Sequence, residues 1–358
     1  MLTGLETPAL VLDEPVFQAN VNAMAAHAEA HQIGLRPHAK THKCKAIATA
    51  QIKAGALGIC TAKLGEAEAL AGETIQDILV TSPQVTDAQF ERIAALARTI
   101  EHLSVTVDHP EMCERLIRAL GTAERKPGLF VDIDVGTRRT GAAPGDASTR
   151  LARMITEAGF PFRGFQAYAG HVMHIKDRAE RAEAAREASF LLQKAVDAAH
   201  AVGLSVPVRS GGGTGTYDLD TGHALSELQV GSYIFMDREY LELEQDGLFK
   251  PALFVLTTVI SANQQGFVTT DAGFKSFATD GPRPWVHAGA PEGSRYFFMG
   301  DEHGGVKLPE GATLNPGDRL LITVPHCDPT VNLYDRYHLV RDNALIGTWP
   351  IEARGRSQ

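Results

Sequence analysis

The feature that most constrains the fold is an alternation of short apolar, β-rich segments with alanine-rich segments of helical period. Eight such units recur over about 200 residues, which is the rhythm of a (β/α)8 barrel, a TIM barrel. A doubly wound parallel sheet is the alternative, but eight units at this spacing favour closure. The predicted strands are 33–38, 56–62, 77–82, 103–107, 128–134, 162–168, 206–212 and 226–232, and the predicted helices are 43–55, 63–72, 86–99, 109–123, 146–159 and 178–203.

The sequence pattern changes after residue 248. There, β-branched and aromatic residues alternate with Gly, Asn and Asp turns, and no helical period appears. We therefore predict a barrel domain over 13–248 and an all-β domain over 249–358. The early strand 8–13 precedes the first barrel unit. We expect the N-terminal segment 1–12 to join the all-β domain.

Composition excludes several classes of protein. The chain carries 34 basic against 43 acidic residues, a net charge of −9, which disfavours a general nucleic-acid binder. Its four cysteines show no CxxC pairing, and no apolar run reaches the roughly 20 residues that a membrane span needs. The first residues have no signal-peptide pattern, so we expect a cytoplasmic protein without a membrane partner.

The segment "RPHAKTHK" places Lys40 directly after the first predicted barrel strand. Catalytic residues of such barrels gather at the carboxyl ends of the strands, where a lysine can hold a carbonyl cofactor as a Schiff base. An arbitrary lysine at a helix start is usually solvated. A specific role for Lys40 is favoured by its neighbours, the flanking His38 and His42 and the preceding Pro37.

Three further motifs follow barrel strands. The glycine-rich "RSGGGTGTYD" (209–218) follows the seventh strand, where phosphate sites are common, and a helix starting after it would add its dipole. "DIDVGTRRTG" (132–141) offers Arg138 and Arg139 to a cofactor, although surface ion pairs are the more frequent fate of arginine. His171, after the sixth strand, can face a flat ring or act as a base, or be an ordinary rim histidine.

The segment "VPHCDPTVNLYD" in the all-β domain contains a possible metal pair. In an extended chain, His326 and Asp328 point to the same side and Cys327 points away. One imidazole and one carboxylate suit a divalent ion that keeps waters or substrate oxygens, and we expect Mn²⁺ or Mg²⁺ rather than Zn²⁺. A turn capped by the aspartate before Pro329 is the non-functional alternative.

Together, "RPHAKTHK", "DVGTRRTG", "YAGHVMH", "SGGGTGTYD" and "PHCDPTVNLYD" resemble, in order and over the whole chain, the D-threonine aldolase / D-serine dehydratase-like family. That family comprises pyridoxal phosphate enzymes built like alanine racemase. The resemblance implies pyridoxal 5'-phosphate as the cofactor, with Lys40 as the lysine that holds it. It also implies that the chain acts on a small-molecule D-3-hydroxy-amino acid.

The resemblance assigns the remaining site residues by position. Lys40 and His171 are the implied catalytic residues, and His326 and Asp328 match the divalent-metal pair of the aldolase branch. The implied cofactor-binding residues are Lys40, Arg139, Tyr168, His171, Ser210, Gly212, Gly213, Thr214 and Tyr233.

The motif around the metal pair favours an aldolase that releases glycine and an aldehyde. Dehydratase members of the family tend to have His-x-Cys, whereas here the i+2 residue is Asp328. A dehydratase that forms a 2-oxo acid and ammonia remains the alternative. A non-catalytic cofactor carrier would need neither the all-β domain nor the metal pair. Racemases of the family use a tyrosine as second base, and Tyr334 and Tyr337 lie near the motif without being identifiable as one.

Two expectations concern partners and specificity. The resemblance implies a homodimer. A methyl group, an aryl ring and a carboxylate all remain possible on the substrate's β-carbon. A carboxylate would need a nearby cation, for which His303, Arg283 and Arg295 are unranked candidates.

Overall fold

The computed structural model describes Leu2 and residues 4–358, and the chain divides into two compact units. One unit, here called the β unit, comprises Met1–Ala23, Thr41–Cys44 and Ser232–Arg354. The other, here called the barrel unit, comprises Met24–Lys40, Lys45–Gly231 and Gly355–Gln358.

Strands and helices are numbered in chain order. The strands are β1 (Ala9–Asp13), β2 (Gly34–Leu35), β3 (Ile59–Thr61), β4 (Asp77–Val80), β5 (His102–Val107), β6 (Gly128–Asp132), β7 (Phe162–Ala167), β8 (Val208–Gly211), β9 (Glu227–Leu228), β10 (Leu253–Ser261), β11 (Phe267–Thr270), β12 (Trp285–Ala288), β13 (Arg295–Phe298), β14 (Gly304–Lys307), β15 (Arg319–Thr323), β16 (Arg336–Arg341) and β17 (Ala344–Pro350). The helices are α1 (Glu14–Ala30), α2 (Lys45–Lys53), α3 (Leu64–Leu70), α4 (Asp87–Leu96), α5 (Pro110–Leu120), α6 (Asp146–Glu157), α7 (Arg178–Ala201), α8 (Arg238–Leu241) and α9 (Cys327–Val331).

Eight strands of the barrel unit form one parallel sheet in the spatial order β2, β9, β8, β7, β6, β5, β4, β3. The two ends of this order meet, because the amides of Leu57 and Cys60 donate to the carbonyls of Leu35 and Pro37, and Ala39 donates back to Cys60. The predicted parallel barrel is confirmed. All eight strands therefore direct their carboxyl ends to the same rim.

The six predicted helices appear as α2 to α7, each beginning or ending within a few residues of its predicted bounds. Local chemistry explains these bounds. The hydroxyl of Thr86 accepts the amide of Gln89 while the Gln89 side chain accepts the amide of Thr86, which is a capping box before α4. Gly159 and Gly203, just beyond α6 and α7, have positive φ, as helix-ending glycines commonly do.

The β unit is built on a mainly antiparallel sheet. The strand order is β13, β14, β11, β10, β1, β16, β17, with β15 also on β10 and β12 on β15. Strand β1 runs antiparallel to β10 and parallel to β16, so the N-terminal strand is an interior strand of this sheet. Leu10 and Leu12 of β1 are fully buried, and each contributes about 1.5–3 kcal/mol of transfer free energy on burial.

No helix start follows the glycine-rich loop within residues 212–226, so no helix dipole is added there. Residues 212–226, which all lie in the described part of the chain, form turns instead of a helix. The amide of Thr216 donates to Gly213, and those of Leu219 and Asp220 donate to Thr216, so successive short turns satisfy the backbone that a helix would otherwise pair.

Candidate active site

Lys40 lies at the carboxyl end of the first barrel strand and is half-buried. The backbone N–H of Lys40 donates to Nδ1 of the buried His38 at 3.4 Å. The His38 ring proton must therefore lie on Nε2, which donates to Thr81 Oγ1 at 3.2 Å. The Thr81 hydroxyl in turn donates a hydrogen bond to the carbonyl of Thr61 at 3.1 Å. This chain of hydrogen bonds holds the backbone that presents Lys40.

The segment that carries the predicted arginine is a loop over residues 133–142 beyond β6. Asp132 is hydrogen-bonded to this loop, because the Thr140 hydroxyl donates to Asp132 Oδ2 at 2.7 Å. The guanidinium carbon of the neighbouring Arg139 lies 5.5 Å from the centroid of the Tyr168 ring. The structure thus brings together two predicted cofactor residues that lie on different barrel loops.

Asp132 is the buried anchor of this loop. Burial raises its pKa to about 6, against the opposing effects of the hydrogen bonds from Thr140 and Gln166 and of the Arg139 charge. The amide nitrogen of Gln166 donates both to Asp132 Oδ1 and to the carbonyl of Thr81, each at 2.9 Å. One glutamine therefore connects the arginine loop to the hydrogen bonds beneath Lys40.

The hydroxyl of Thr137 joins the arginine loop to the loop that carries Tyr168 and His171. It donates to the Tyr168 carbonyl at 2.8 Å, accepts the Gly170 amide at 3.2 Å, and lies 3.3 Å from His171 Nδ1. A carbonyl can only accept, so the single hydroxyl hydrogen is committed to Tyr168. His171 must then donate from Nδ1, which leaves the lone pair of the neutral ring on Nε2.

Close backbone approach explains why glycine precedes Thr137. A Cβ built on Gly136, which has φ +112°, would lie 3.0 Å from His171 Cε1 and 3.1 Å from Nε2. A larger residue would therefore displace the imidazole. His171 itself is exposed, so its Nε2 is accessible at the barrel rim.

The glycine-rich loop beyond β8 is buried and leaves no room for side chains. A Cβ on Gly212, with φ +70°, would lie 2.5 Å from Asp220 Oδ2, and one on Gly213 would lie 2.6 Å from Met173 Sδ. Ser210 is fixed beside the loop, because Gln229 Nε2 donates to its hydroxyl at 2.8 Å. Such a cradle of backbone and hydroxyl groups is typical of phosphate sites.

These residues fit the predicted cofactor. The buried Thr214 adds a second hydroxyl to the glycine loop, and Lys40 stands on the same rim because all the strands are parallel. Behind the loop, burial raises the pKa of Asp220 to about 7, assisted by Asp218 and opposed by a hydrogen bond from Thr216. At neutral pH a carboxyl group with this pKa is only partly ionised, which reduces the negative charge behind the loop.

The expected extended geometry of the metal pair is wrong, although its two side chains do lie close together. His326 is the N-cap of α9 and Asp328 lies in its first turn. A helix starts here because Asp237 Oδ2 accepts the Cys327 amide at 2.7 Å and because Pro329 is tolerated in a first helical turn. His326 Nε2 lies 3.8 Å from Asp328 Oδ2. The thiol of Cys327 also lies 3.5 Å from that carboxylate, so it does not point away as expected.

Carboxylates surround His326. Although burial lowers its pKa, Asp328, Asp237 and Glu239 raise it on balance, as does a hydrogen bond to Asp280. Burial and the neighbouring carboxylates raise the pKa of Glu239 to about 7, despite the opposing charge of His326. The site therefore concentrates negative charge, which a bound cation would relieve.

The donor set at this pair is limited. Among residues 2 and 4–358, no three or more His, Cys, Asp and Glu side chains are arranged as a complete metal site. His326 and Asp328 offer one nitrogen and one carboxylate, which fit an ion that keeps several oxygen ligands from solvent or substrate. Burial raises the pKa of the Cys327 thiol well above its ordinary range.

The other predicted residues are placed as follows. Tyr233 is fully buried in a short 3-10 turn of the β unit, where its ring centroid is 5.5 Å from that of Phe249. Arg283, Arg295 and His303, the unranked cations, are all exposed residues of the β unit.

Sequence reasoning missed several residues that hold the site together: Thr137, Gln166, Asp237, Glu239 and Asp280. Thr137 contacts Tyr168 and His171, and Asp280 contacts His326. Asp237 accepts the Cys327 amide, Gln166 donates to Asp132, and the charge of Glu239 acts on His326. None of the five belongs to a recognisable spacing, although Thr137 stood inside a quoted motif, where its hydroxyl could have been considered as a link to a neighbouring loop.

Comparison with known proteins shows the family of the chain. Residues 12–239 match the family described as "Alanine racemase, N-terminal domain", and residues 252–340 match a "Putative serine dehydratase domain". The chain is 38% identical to a D-threonine aldolase of Arthrobacter sp, covering 100% of this chain and 95% of that protein. It is 34% identical to the 3-hydroxy-D-aspartate aldolase of Paracoccus denitrificans (strain Pd 1222), covering 98% and 93% respectively.

A solved structure gives the same result for the fold. The D-threonine aldolase from Filomicrobium marinum superposes with a TM-score of 0.94 at 34% identity, covering 99% of this chain and 96% of that one. The barrel, the second sheet and the matched domains define an enzyme of the alanine racemase-like class. Within that class, the chain belongs to the D-threonine aldolase / D-serine dehydratase-like family. Across the described residues, no helix combines the length and apolarity needed to cross a bilayer.

Proposed function

We propose that this protein is an aldolase that cleaves D-3-hydroxy-amino acids to glycine and an aldehyde with the aid of pyridoxal 5'-phosphate and a divalent metal. The observation that carries the proposal is the presence of two complementary sets of side chains in one chain. The barrel rim presents Lys40 and the glycine loop, and the β unit presents His326 beside Asp328. Full-length similarity to aldolases of this substrate class supports it.

We assign the cofactor to the barrel rim. The Lys40 amine would bind it covalently, and the backbone of Gly212 and Gly213 with the Ser210 and Thr214 hydroxyls would hold its phosphate. Arg139 would face its ring oxygen. Pyridoxal phosphate, when bound, supplies an electron sink for the carbon–carbon bond cleavage.

Three further residues complete the cofactor assignment. We assign Tyr168 to the surroundings of the pyridine nitrogen, consistent with the Arg139 guanidinium above its ring. Tyr233 is assigned as a further phosphate contact. His171 is assigned to the face of the ring, where Thr137 fixes its orientation.

We assign a divalent ion, Mn²⁺ or Mg²⁺ in preference to Zn²⁺, to His326 and Asp328. Such an ion acts as a Lewis acid that lowers the pKa of a substrate hydroxyl. The pair would orient this ion through one imidazole nitrogen and one carboxylate oxygen.

The protein must also remove the proton of the β-hydroxyl group. His171 Nε2 is the candidate base on this chain. The contact with Thr137 places the proton of the neutral ring on Nδ1, which leaves the lone pair on Nε2. Nε2 can hold the hydroxyl proton during cleavage and release it at the barrel rim, where the residue is exposed.

Dehydration to a 2-oxo acid and ammonia is the second candidate, favoured by the match of residues 252–340 to a domain described as a putative serine dehydratase. Racemisation by a tyrosine base has less support. Tyr337 donates to the His42 carbonyl at 2.7 Å and Tyr334 donates to the Ser276 carbonyl at 2.9 Å, and burial raises the pKa of both phenols. Both hydroxyls are therefore structural.

The experiment is a product assay of the purified protein with cofactor and Mn²⁺ or Mg²⁺. D-threonine, D-phenylserine and 3-hydroxy-D-aspartate are supplied separately, and glycine, aldehyde and 2-oxo acid are measured together. We expect glycine and aldehyde in equal amounts from at least one substrate, with no turnover of its L-enantiomer. A 2-oxo acid with ammonia as the main products would establish the dehydratase instead.

Three broader parts of the proposal remain, of which the first follows from the family resemblance and the other two from the sequence itself. We propose a homodimer, a cytoplasmic setting, and a division at residue 248 between cofactor and metal domains. Light scattering of the holoenzyme tests the first and cell fractionation the second. For the third, proteolysis within the described segment between α8 and β10 should leave the two fragments associated, because β1, on the N-terminal side of the cut, is an interior strand of the β-unit sheet.

A further inference from the structure

A carboxylate outside the predicted metal pair contacts His326 on its far side. Asp280 Oδ2 lies 3.0 Å from His326 Nδ1, whereas His326 Nε2 lies 3.8 Å from Asp328 Oδ2. An ionised carboxylate can only accept a hydrogen bond, so Nδ1 must carry a proton. The Nε2 lone pair of the neutral ring then lies on the side of Asp328, where both side chains can bind one ion.

We propose that Asp280 is a positioning residue for the metal site, which fixes the tautomer and ring orientation of His326 so that Nε2 binds the ion together with Asp328. This inference rests on the proposed metal role of that pair. Metal-binding histidines commonly donate their second ring nitrogen to a carboxylate, which orients the ring and raises its basicity. No motif spacing relates Asp280 to His326, since 46 residues separate them.

The loop that carries Asp280 is attached by one hydrogen-bonding residue within α9 and by another just beyond it. The fully buried Thr330 hydroxyl donates to the His326 carbonyl at 2.7 Å and accepts the Ala278 amide at 2.9 Å. Beyond α9, the Tyr334 hydroxyl donates to the Ser276 carbonyl at 2.9 Å. The backbone on either side of His326 is thus connected to the backbone just before Asp280. The carboxylate is held beside the ring by the fold.

Packing between these attachments supports the same conclusion. Phe277, which lies between Ser276 and Ala278, is buried, and its ring centroid is 5.3 Å from that of Tyr296. The loop is therefore anchored by an aromatic side chain as well as by hydrogen bonds. Asp280 itself extends from this anchored segment into solvent, with 57% of its side chain exposed.

The exposure of Asp280 separates the proposed role from a structural one. An exposed ion pair contributes only about 0–1 kcal/mol to folding, so removing Asp280 should leave thermal stability nearly unchanged. The loss should appear instead in the affinity for the ion. This makes metal binding the diagnostic measurement.

The experiment measures Mn²⁺ binding by the holoenzyme from the electron paramagnetic resonance signal of free Mn²⁺. We expect Asp280→Ala to raise the Mn²⁺ dissociation constant by about 10–100-fold, the range typical of outer-shell partners. Asp280→Asn should weaken binding less, because its amide oxygen can still accept the Nδ1 proton. Glu310→Gln, which removes an exposed charge from the same unit, is the matched control and should bind normally.

The outcomes distinguish this inference from the proposed function. If Asp280→Ala binds Mn²⁺ within about twofold of wild type while His326→Ala does not bind, Asp280 has no positioning role and the metal pair stands. Equal losses in Asp280→Asn and Asp280→Ala would indicate simple charge attraction and would overturn the inference. If wild type and His326→Ala bind Mn²⁺ equally, the metal role of the pair fails as well.

Discussion

The proposed cofactor rim of the barrel unit and the proposed metal pair of the β unit are built in different ways. Around Lys40, positions follow from strand ends, because a parallel barrel directs every carboxyl end to one rim. Around His326, positions follow from a five-residue helix whose start is fixed by Asp237, a residue far away in the chain. Sites on regular elements can be located from periodicity, whereas sites made by distant polar contacts cannot.

The most damaging change to the cofactor rim is predicted to be Lys40→Ala. Without the amine, no covalent bond to the cofactor can form. We therefore expect loss of the lysine–cofactor absorbance and an activity loss of about a thousandfold or more. Lys53→Ala, which alters an exposed lysine at the end of α2, should behave as wild type. Reducible, covalently held cofactor in Lys40→Ala would show that another residue carries this role.

The matching change in the metal pair is Asp328→Ala. Removing one of two protein ligands should abolish tight Mn²⁺ binding and lower activity by about a hundredfold or more. Cys327→Ala tests the neighbouring thiol, which is fully buried and whose pKa is raised by burial. Its Mn²⁺ titration should resemble that of wild type. A loss of binding in Cys327→Ala comparable to that in Asp328→Ala would favour a thiolate-held ion.

A smaller effect is predicted for Thr137→Val, which removes the hydroxyl that joins two rim loops. We expect kcat/KM to fall by about tenfold, the equivalent of one or two hydrogen bonds, and Thr137→Ser to restore most of it. Nitrogen-15 spectra of the His171 ring should show the Nδ1–H form in wild type and a mixture of tautomers in Thr137→Val. Unchanged spectra would remove the tautomer from the explanation.

The smallest effect on turnover, but a clear one on stability, is predicted for Asp220→Asn. The folded pKa of Asp220 is about 7, above the ordinary 3.8, so its stabilising contribution is complete below pH 4 and is lost as pH rises towards 7 and beyond. In Asp220→Asn, the free energy of unfolding should decline less over that window, by about 1–4 kcal/mol. Glu157→Gln, an exposed change in the same unit, should keep the wild-type slope.

The fold was largely predictable from the sequence. All eight barrel strands and six helices were expected, because their apolar periods and terminal glycines are local signals. Helix α1 was not among the predicted helices, and its Pro15 stands in the first turn, where proline is tolerated. The glycine loop is followed by turns over residues 212–226, all described, and these turns satisfy the backbone without a helix.

The site was predictable only as a list of motif residues. Lys40 and the glycine loop could be located because strand ends place them. The contacts of His171 with Thr137 and of His326 with Asp280 join segments 34 and 46 residues apart, and neither pair has a spacing that marks it. Asp328 shows the limit clearly, because its nearness to His326 was expected for an extended chain and is achieved by a helical turn.

One measurement tests most directly whether both regions serve a single reaction. The holoenzyme is supplied with a D-3-hydroxy-amino acid that it cleaves, and glycine, 2-oxo acid and the lysine–cofactor absorbance are followed as a chelator is added and Mn²⁺ is then restored. We predict that glycine formation stops and returns while the absorbance stays constant. Glycine formation that is indifferent to the chelator, or 2-oxo acid as the main product, would contradict the proposal.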